Sequence, residues 1–374
     1  MPDKSRRVLV CVTGLTPQVV TETVYALTQR EAPWVPDEVH VLTTFTGAER
    51  AQLLLGRNGD GKLKRLCRDY GLENVQFSKR HIHVLTDSNG QPLDDIRSQS
   101  DNLAMADAIL SFIAEVTSDP DSAVHVSLAG GRKSMGFFAG YALSLYGRAQ
   151  DRLSHVLVSE DFETLPDFFY PPRQPVTLET RTGKQVSTAN ARVDLADIPF
   201  VRLRDRLPRS LLGGGSFVDA VEAAQKLEKS PELIVDTRHR RIVCSGTRIK
   251  LSAPNFAVYA WMAQRALDKT EPGVRLSEFN AVNSALRKQL RAFGNKLYDN
   301  DMSVEAEQWD DRPWEDDSLN HTQWLSERRS RINAAISQAL GRSGKKIYGI
   351  SSIPLKGRET QHQILLVPES INMV

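Results

Sequence analysis

The sequence predicts an α/β protein: a mainly parallel sheet with helices on both faces, followed by a smaller α+β domain. Five short apolar runs of strand length occur in the first 160 residues, and segments of helical periodicity separate them. Strands that alternate with helices at this spacing form βαβ units, whose strands are parallel. The third observation is a glycine-rich break at residues 211–216, after which the regular alternation of strands and helices ends.

The predicted strands of the first domain are continuous apolar runs, as expected for strands buried on both faces. They are residues 8–12, 39–44, 81–84, 123–128 and 153–158. The predicted helices are residues 17–30, 48–56, 62–70, 102–116 and 133–146. Thr16 is a suitable N-cap for the first helix, and Pro17 suits its first position. Residues 168–190 are predicted to be irregular or a hairpin.

The C-terminal portion predicts small sheets and three helices. Its strands are residues 233–236, 241–244 and 247–251, its helices start at 253 and span 277–297 and 322–340, and residues 345–367 form a final hairpin. This arrangement resembles a winged helix-turn-helix. An acidic loop at residues 309–317 departs from a tight DNA-reading turn. We predict one domain at 1–200, a linker at 201–216 and a winged-helix-like domain at 217–374.

Composition limits the partners of this protein. A length of 374 residues predicts two domains, and a net charge of +2 requires any nucleic-acid surface to be local. Cys11, Cys67 and Cys244 lie far apart and are predicted to be buried, reduced thiols. No signal-peptide core and no membrane-spanning run is evident, so we expect a cytoplasmic protein without a membrane partner. No cofactor and no metal ligand set is predicted.

The sequence is organised around residues 127–135. A strand ends at Leu128, Gly130 and Gly131 form a tight exit, and a helix starts at Lys133. Such a junction offers backbone N–H groups and the positive end of a helix dipole, to which Arg132 and Lys133 add charge. An anionic, phosphate-bearing ligand fits this junction. The alternative is a compact loop followed by a solvated helix start.

A second strand-loop-helix junction follows the first strand at residues 13–18. The carboxyl ends of parallel strands lie at one edge of a sheet, where ligands of such folds bind. We therefore expect this loop and the Gly130–Gly131 loop to face one site.

These two loops resemble those of the CARF (CRISPR-associated Rossmann fold) proteins of type III CRISPR systems, in particular the ring-nuclease-like branch. The resemblance rests on residues 13–23 and 129–135 and covers about the first half of the chain. It implies a homodimer that binds a cyclic oligoadenylate, usually the four-adenosine ring, across its two-fold axis.

The resemblance also implies residue roles. It implies a catalytic role for Lys133 and for a hydroxyl of either Thr13 or Thr16, and the alternative for each threonine is local capping. The ligand contacts assigned with them are Gly14, Leu15, Gln18, Gly130, Gly131, Arg132 and Ser134. A ribose 2′-OH of the ring would attack the adjacent phosphorus without a metal, which gives a linear product with a 2′,3′-cyclic phosphate.

Two functions of different classes follow. In the first, the protein is a ring nuclease that ends the signal. In the second, it is a cyclic-oligoadenylate sensor that binds nucleic acid through its arginine-rich C-terminal helix and hairpin. The first is favoured because no effector-nuclease motif occurs in the C-terminal half, which leaves the glycine loop as the best chemical centre.

His81 and His83 alternate along a predicted strand and point to one face. A metal pair is one interpretation. Structural roles are favoured, because no carboxylate or cysteine stands at a supporting position in the sequence.

Overall fold

The computed structural model describes residues 5–56, 60–163, 165–226, 231–268, 273–299, 309, 314 and 316–374. The chain divides into two compact units. The first contains Met1–Arg204 and Leu212–Ala220, and the second contains Asp205–Leu211 and Val221–Val374. Most of the predicted acidic loop at 309–317 lies outside the described residues.

The first unit is built on a six-stranded sheet in the order β3-β2-β1-β4-β5-β8. The first five strands are parallel, as predicted. Their bounds are β1 Arg6–Val12, β2 Glu38–Thr43, β3 Ile82–Val84, β4 Ser122–Ser127 and β5 Arg152–Val158. Since β2 and β4 both pair with β1, the chain order reverses beside β1, and the ends of β1 and β4 lie next to each other.

Helices cover both faces of this sheet, as predicted. They are α1 Gln18–Thr28, α2 Phe45–Leu55, α3 Lys62–Tyr70, α4 Gln99–Val116, α5 Lys133–Tyr146 and the short α6 Glu160–Glu163. Leu9 and Cys11 of β1 pack in one core with Val20 and Val24 of α1. On the opposite face, His40 of β2 contacts Phe112 of α4.

The start of α1 corrects the sequence prediction. Pro17, not Thr16, occupies the N-cap position, and the helix begins at Gln18. The Val20 N–H donates to the Pro17 carbonyl at 3.1 Å, and Pro17 lies directly before the first helical turn. Thr16 is left in the loop with an exposed side chain.

The sequence pattern did not reveal the sixth strand of the sheet. Val193–Asp197 forms β8, which pairs antiparallel with β5. Alternating polar residues on this exposed edge strand hide the apolar run that marked the central strands. Before it, β6 Thr177–Glu179 and β7 Gln185–Ser187 form the hairpin that was one prediction for residues 168–190.

The glycine-rich segment 212–217 belongs to the first unit and packs on its helices. Gly214 has φ of +105° and lies against Ser111, while the Phe217 N–H donates to Asp107 Oδ1 at 2.7 Å. The Phe217 ring packs edge-on against Phe138 of α5. Helix α7 Phe217–Lys226 starts here.

The second unit has two small sheets. One contains β9 Leu233–Asp236, β10 Arg241–Cys244, β11 Thr247–Lys250 and β15 Ile371–Met373, in the order β11-β10-β9-β15. The other contains β12 Val274–Arg275, β13 Ile350–Pro354 and β14 Thr360–Ile364, in the order β12-β14-β13. The first three strands and the β13-β14 hairpin agree with the predictions. Strand β15, which pairs parallel with β9, was not predicted.

Among the described residues, the helices that lie wholly in the second unit include α8 Ala253–Leu267, α9 Leu276–Asn280, α10 Ala285–Leu297 and α11 His321–Tyr348. A single helix over 277–297 was wrong, because Asn283 has φ of +55° and separates α9 from α10. The predicted end of the third helix at residue 340 coincides with a break at Gly341, which has φ of +70°, and helical backbone resumes after it as far as Tyr348. Trp261, Trp309 and Trp314 are buried in the core of this unit.

The three cysteines are unpaired and buried, as predicted. Among the described residues, no helix has the length and apolar character needed to cross a bilayer.

Candidate functional site

The loop after β1 and the loop after β4 touch. A Cβ built on Gly14 would lie 3.3 Å from the Gly131 Cα, so the two backbones are in van der Waals contact. This contact follows from the sheet order, because β1 and β4 are neighbours and both loops leave the carboxyl edge. The two junctions identified in the sequence therefore form one site, which we call the paired-loop site (residues 13–18 and 129–134).

The loop after β4, which is the second loop of the site, requires glycine at positions 130 and 131 because of its backbone geometry. Gly131 has φ of +83°, a conformation that favours glycine, and an added Cβ would lie 3.0 Å from Met135 Sδ. At Gly130 an added Cβ would lie 3.0 Å from the Val12 carbonyl oxygen and 3.2 Å from the Thr13 Cα. A side chain at position 130 would push the two loops apart, and one at position 131 would strain the backbone and press on Met135.

The structure separates the two threonines of the first loop. Thr13 is fully buried, and its hydroxyl donates to the Thr16 carbonyl at 3.1 Å. Thr16 is exposed at the surface of the site. Thr13 thus closes the loop, and Thr16 presents the hydroxyl that a ligand can reach.

Lys133 is the first residue of α5, and its side chain is exposed. Within the described part of the chain, its ammonium group has no ion-pair partner. Ser134 follows at the same helix N-terminus and is half-buried. The site therefore combines an exposed cation with the dipole of a 14-residue helix.

Arg132, in contrast, is engaged by the protein. Its Nε lies 2.9 Å from Asp95 Oδ1, and its Nη2 contacts the other carboxylate oxygen. The hydrogen bonds from Arg132 are the main reason that the pKa of Asp95 falls to about 2. The guanidinium is still more than half exposed, with 58% of its side chain accessible.

Gln18 lies at the start of α1 and is half-buried. Its Nε2 donates to the Pro166 carbonyl at 3.2 Å, while its Oε1 is buried without a partner among the described residues. One turn further, Glu22 is buried, and desolvation, aided by nearby Glu163, raises its pKa to about 8. The carboxyl of Glu22 is therefore mainly protonated at neutral pH. No feature of the sequence marks Glu22 as buried, since a glutamate in an amphipathic helix is usually exposed.

A third helix N-terminus completes the edge and was also missed. Helix α2 follows Thr43 and Thr44. Its first turn lies against the loop after β1, because a Cβ added at Gly47 would lie 3.0 Å from the Gly14 carbonyl oxygen. Thr43 Oγ1 is buried there without a partner among the described residues. Leu15 and Phe45 are exposed beside this turn, at 56% and 42%. No glycine-rich or charged motif marks this junction in the sequence.

A cluster of histidines lies elsewhere on the sheet. One potential ligand atom from each of Glu38, His40 and His81 lies within 4.8 Å of the other two. His40 Nε2 is 3.1 Å from Glu38 Oε2, and His40 Nδ1 is 2.9 Å from His83 Nε2. Burial lowers the pKa of all three histidines, that of His83 to about 4.

The fold and the paired-loop site define an α/β protein of Rossmann-like topology with a candidate anion site at the point where the strand order reverses. A family model described as CRISPR-associated protein NE0113 matches residues 16–230. The chain belongs to this family, because the match covers more than half of its length. The resemblance to CRISPR-associated Rossmann-fold proteins is thereby confirmed at the level of the family and the fold.

Among solved structures, the chain is similar to Enterococcus italicus Csm6 bound to cyclic hexa-2′-fluoro-hexa-dAMP. The two chains are 17% identical, and the TM-score is 0.29. The match covers 40% of this chain and 33% of Csm6, so this chain matches about one third of the length of that relative. No curated protein matches the sequence.

Proposed function

We propose that the protein binds a cyclic oligoadenylate at the paired-loop site and cleaves it as a ring nuclease of type III CRISPR defence. The contact between Gly14 and Gly131 carries this proposal, because it joins two loops that each offer backbone N–H groups at one helix N-terminus. Membership of a CRISPR-associated family supports the ligand class. The four-adenosine ring is the expected substrate.

The exposure of the side chains supports a separate role for each residue. The Lys133 ammonium stabilises the negative charge that develops on the phosphate oxygens, together with the N–H groups of Gly131 and Arg132. Thr16, whose hydroxyl is accessible, orients the ribose 2′-OH or the leaving oxygen. Thr13 acts through Thr16, because its hydroxyl holds the Thr16 carbonyl.

The chemistry needs only the groups of the substrate and these side chains. The 2′-oxygen forms a bond to phosphorus, the bond from phosphorus to the 5′-oxygen breaks, and the 5′-oxygen takes up a proton as the 2′-OH loses one. The product is linear and carries a 2′,3′-cyclic phosphate. Alignment of an attacking group already held in the substrate supplies much of the rate.

A second copy of the chain is part of this proposal. Lys133, Phe137 and Tyr141 follow each other at intervals of four on α5 and share one face. The Phe137 side chain is 60% exposed. An exposed aromatic ring one turn from the proposed catalytic lysine supports a homodimer in which each protomer supplies one pair of loops.

The decisive experiment is incubation with cyclic tetra-adenylate in EDTA, with products followed by mass spectrometry. We expect linear products ending in a cyclic phosphate, lost in Lys133→Ala and retained in Lys64→Ala, which removes an exposed lysine from α3. Tight binding of an intact ring would contradict cleavage and support a sensor. No binding at all would overturn the ligand assignment.

The second candidate function is ligand-dependent nucleic-acid binding by the second unit. The strand order β12-β14-β13, with α8 and α9 around β12 and a terminal hairpin, favours a winged helix. Exposed Arg331 on α11 and exposed Lys356 in the hairpin turn supply positive charge. This candidate predicts a salt-dependent complex with DNA or RNA whose affinity changes when cyclic tetra-adenylate is added.

A further inference from the structure

The histidine cluster joins residues that are distant in the sequence. Glu38 and His40 lie on β2. His81 ends the 3₁₀ turn that precedes the neighbouring strand β3, and His83 lies on β3. Parallel pairing of β2 with the edge strand β3 brings the four side chains together. The supporting carboxylate that the sequence did not place near His81 is therefore supplied by Glu38.

We propose that Glu38, His40 and His81 form a binding site for a divalent transition-metal ion of the zinc type. Imidazole nitrogen and carboxylate oxygen are the ligands that such ions prefer. His40 Nε2 and Glu38 Oε2 are 3.1 Å apart. Ligand atoms around a tetrahedral zinc ion are separated by roughly 3.3 Å, which follows from metal–nitrogen bonds of about 2.0 Å.

His83 orients the central ligand. With a metal on Nε2 of His40, the proton of that ring lies on Nδ1, which is 2.9 Å from His83 Nε2. A ligating histidine typically donates its second ring N–H to such an acceptor, and this fixes the tautomer and the orientation of the ring. His83 is thus a positioning residue that contacts no metal.

The third ligand comes from the 3₁₀ turn. The Nδ1 of His81 faces Ser78, with Ser78 Oγ at 3.1 Å, so Nε2 is the atom available to the metal. In the bound form the Nδ1–H donates to Ser78 Oγ in place of accepting from the Ser78 N–H. The ligand atoms of His81 and its two partners lie within 4.8 Å of one another, so the side chains must draw closer together when they bind the ion.

The surroundings are those of a formed site. Phe112 of α4 packs on His83 at 4.5 Å and on His40 at 5.6 Å between ring centroids, and Phe77 stacks on His81 at 6.4 Å. Arg6 lies 3.7 Å from the other oxygen of Glu38, which holds this carboxylate in place. Apolar walls limit access of water and strengthen the metal–ligand interaction.

This site is separate from the paired-loop site. Glu38 is in register with Val8, four residues before the end of β1, which corresponds to about 13 Å along the strand. A metal here would link β2 to the 3₁₀ turn that precedes β3 and stabilise this edge of the sheet. Cleavage of the cyclic ligand does not involve it, so activity in EDTA and metal binding are independent results.

The test uses untagged full-length protein, stripped of metal with EDTA and then dialysed. Titration with Co²⁺ is followed by visible spectroscopy, and bound Zn²⁺ is measured by mass spectrometry after gel filtration. We expect one ion per chain and a higher melting temperature with metal. Failure of the stripped wild-type protein to bind either ion would overturn the proposal.

Variants identify the ligands. Glu38→Gln keeps a hydrogen-bonding group beside His40 but removes the carboxylate, and it should lose stoichiometric binding, as should His40→Ala. His83→Ala should weaken binding roughly 10- to 100-fold. His155→Ala, on β5 of the same unit, should bind like the wild type. Wild-type affinity in a folded Glu38→Gln protein, checked by circular dichroism, would refute the site.

Discussion

Arg132 and Asp95 form a bidentate ion pair at the rim of the paired-loop site, with Arg132 Nε 2.9 Å from Asp95 Oδ1. The segment of Asp95 is held near the site by the Phe45 N–H, which donates to the Leu93 carbonyl at 2.8 Å. The protein therefore offsets one cation of the proposed phosphate-binding loop with its own carboxylate.

Neutralising Asp95 should strengthen ligand binding. Asp95→Asn removes a negative charge near the phosphates and releases Arg132, so we expect the affinity for cyclic tetra-adenylate to rise about two- to fourfold at low salt. The gain should shrink at high salt, where exposed charges are screened. Calorimetric titration at two ionic strengths measures both effects.

Asp94→Asn is the matched control, because it removes the same charge from the neighbouring exposed position. It should have a smaller effect on affinity. Weaker binding by Asp95→Asn would mean that the carboxylate positions Arg132 for the ligand.

The two threonines should respond differently to mutation. Thr16→Ala changes an exposed side chain, so the free energy of unfolding should change by less than about 0.5 kcal/mol. Cleavage should fall roughly 100-fold, since a transition-state hydrogen bond is lost. Thr13→Val removes a buried hydroxyl and should cost about 1 kcal/mol of stability. Single-turnover cleavage and thermal melting separate the two effects, and a cleavage defect confined to Thr13→Val would reverse the roles.

The two loops of the site could be predicted from the sequence, because glycines and a strand-helix junction are recognised from a few neighbouring residues. Gly130 and Gly131 are required by close backbone contacts, and the contact with Gly14 follows from strand order. Residues recruited by tertiary packing were not predictable in this way. Thr43 and Glu22 are polar residues in ordinary patterns, and only the folded chain buries them.

The same distinction holds for the rest of the chain. The central strands are mainly apolar and were predicted, whereas β8 lies on an edge and β15 is paired with a strand more than 130 residues earlier. The histidine cluster depends on the pairing of β2 and β3. Its carboxylate is 43 residues from His81 and no local spacing points to it.

Glycine substitutions should distinguish the loop from the helix that follows it. Gly131→Ala places a side chain at φ of +83° and 3.0 Å from Met135 Sδ, so it should destabilise the protein by at least 1 kcal/mol and weaken ligand binding. Gly136→Ala lies inside α5, where an added Cβ meets nothing closer than 3.7 Å. It should stabilise the protein by about 0.5–1 kcal/mol. Equal effects of the two substitutions in thermal melts would contradict this assignment.

Glu22 should make the stability depend on pH. Its pKa in the folded protein is raised to about 8 from an ordinary value of 4.5, so the folded state holds this proton more tightly than the unfolded state. The contribution is fully present below pH 4.5 and is lost as the pH rises to about 8. Glu22→Gln should remove this decline. Melting temperatures of both proteins between pH 4.5 and 9 should diverge as pH rises, and parallel curves would show that the Glu22 pKa is ordinary.

We expect Phe137 to contribute to the dimer interface because of its position on α5, and not only because its ring is exposed. Phe137 and Leu53 are both 60% exposed, but only Phe137 shares the α5 face with Lys133. If a second copy covers this face, Phe137→Ala should shift the protein towards the monomer in light scattering and lower the affinity for the cyclic ligand at least tenfold, because half of the ligand contacts are lost. Leu53→Ala should leave both unchanged. A Phe137→Ala protein that remains dimeric and binds normally would place the dimer interface on another surface.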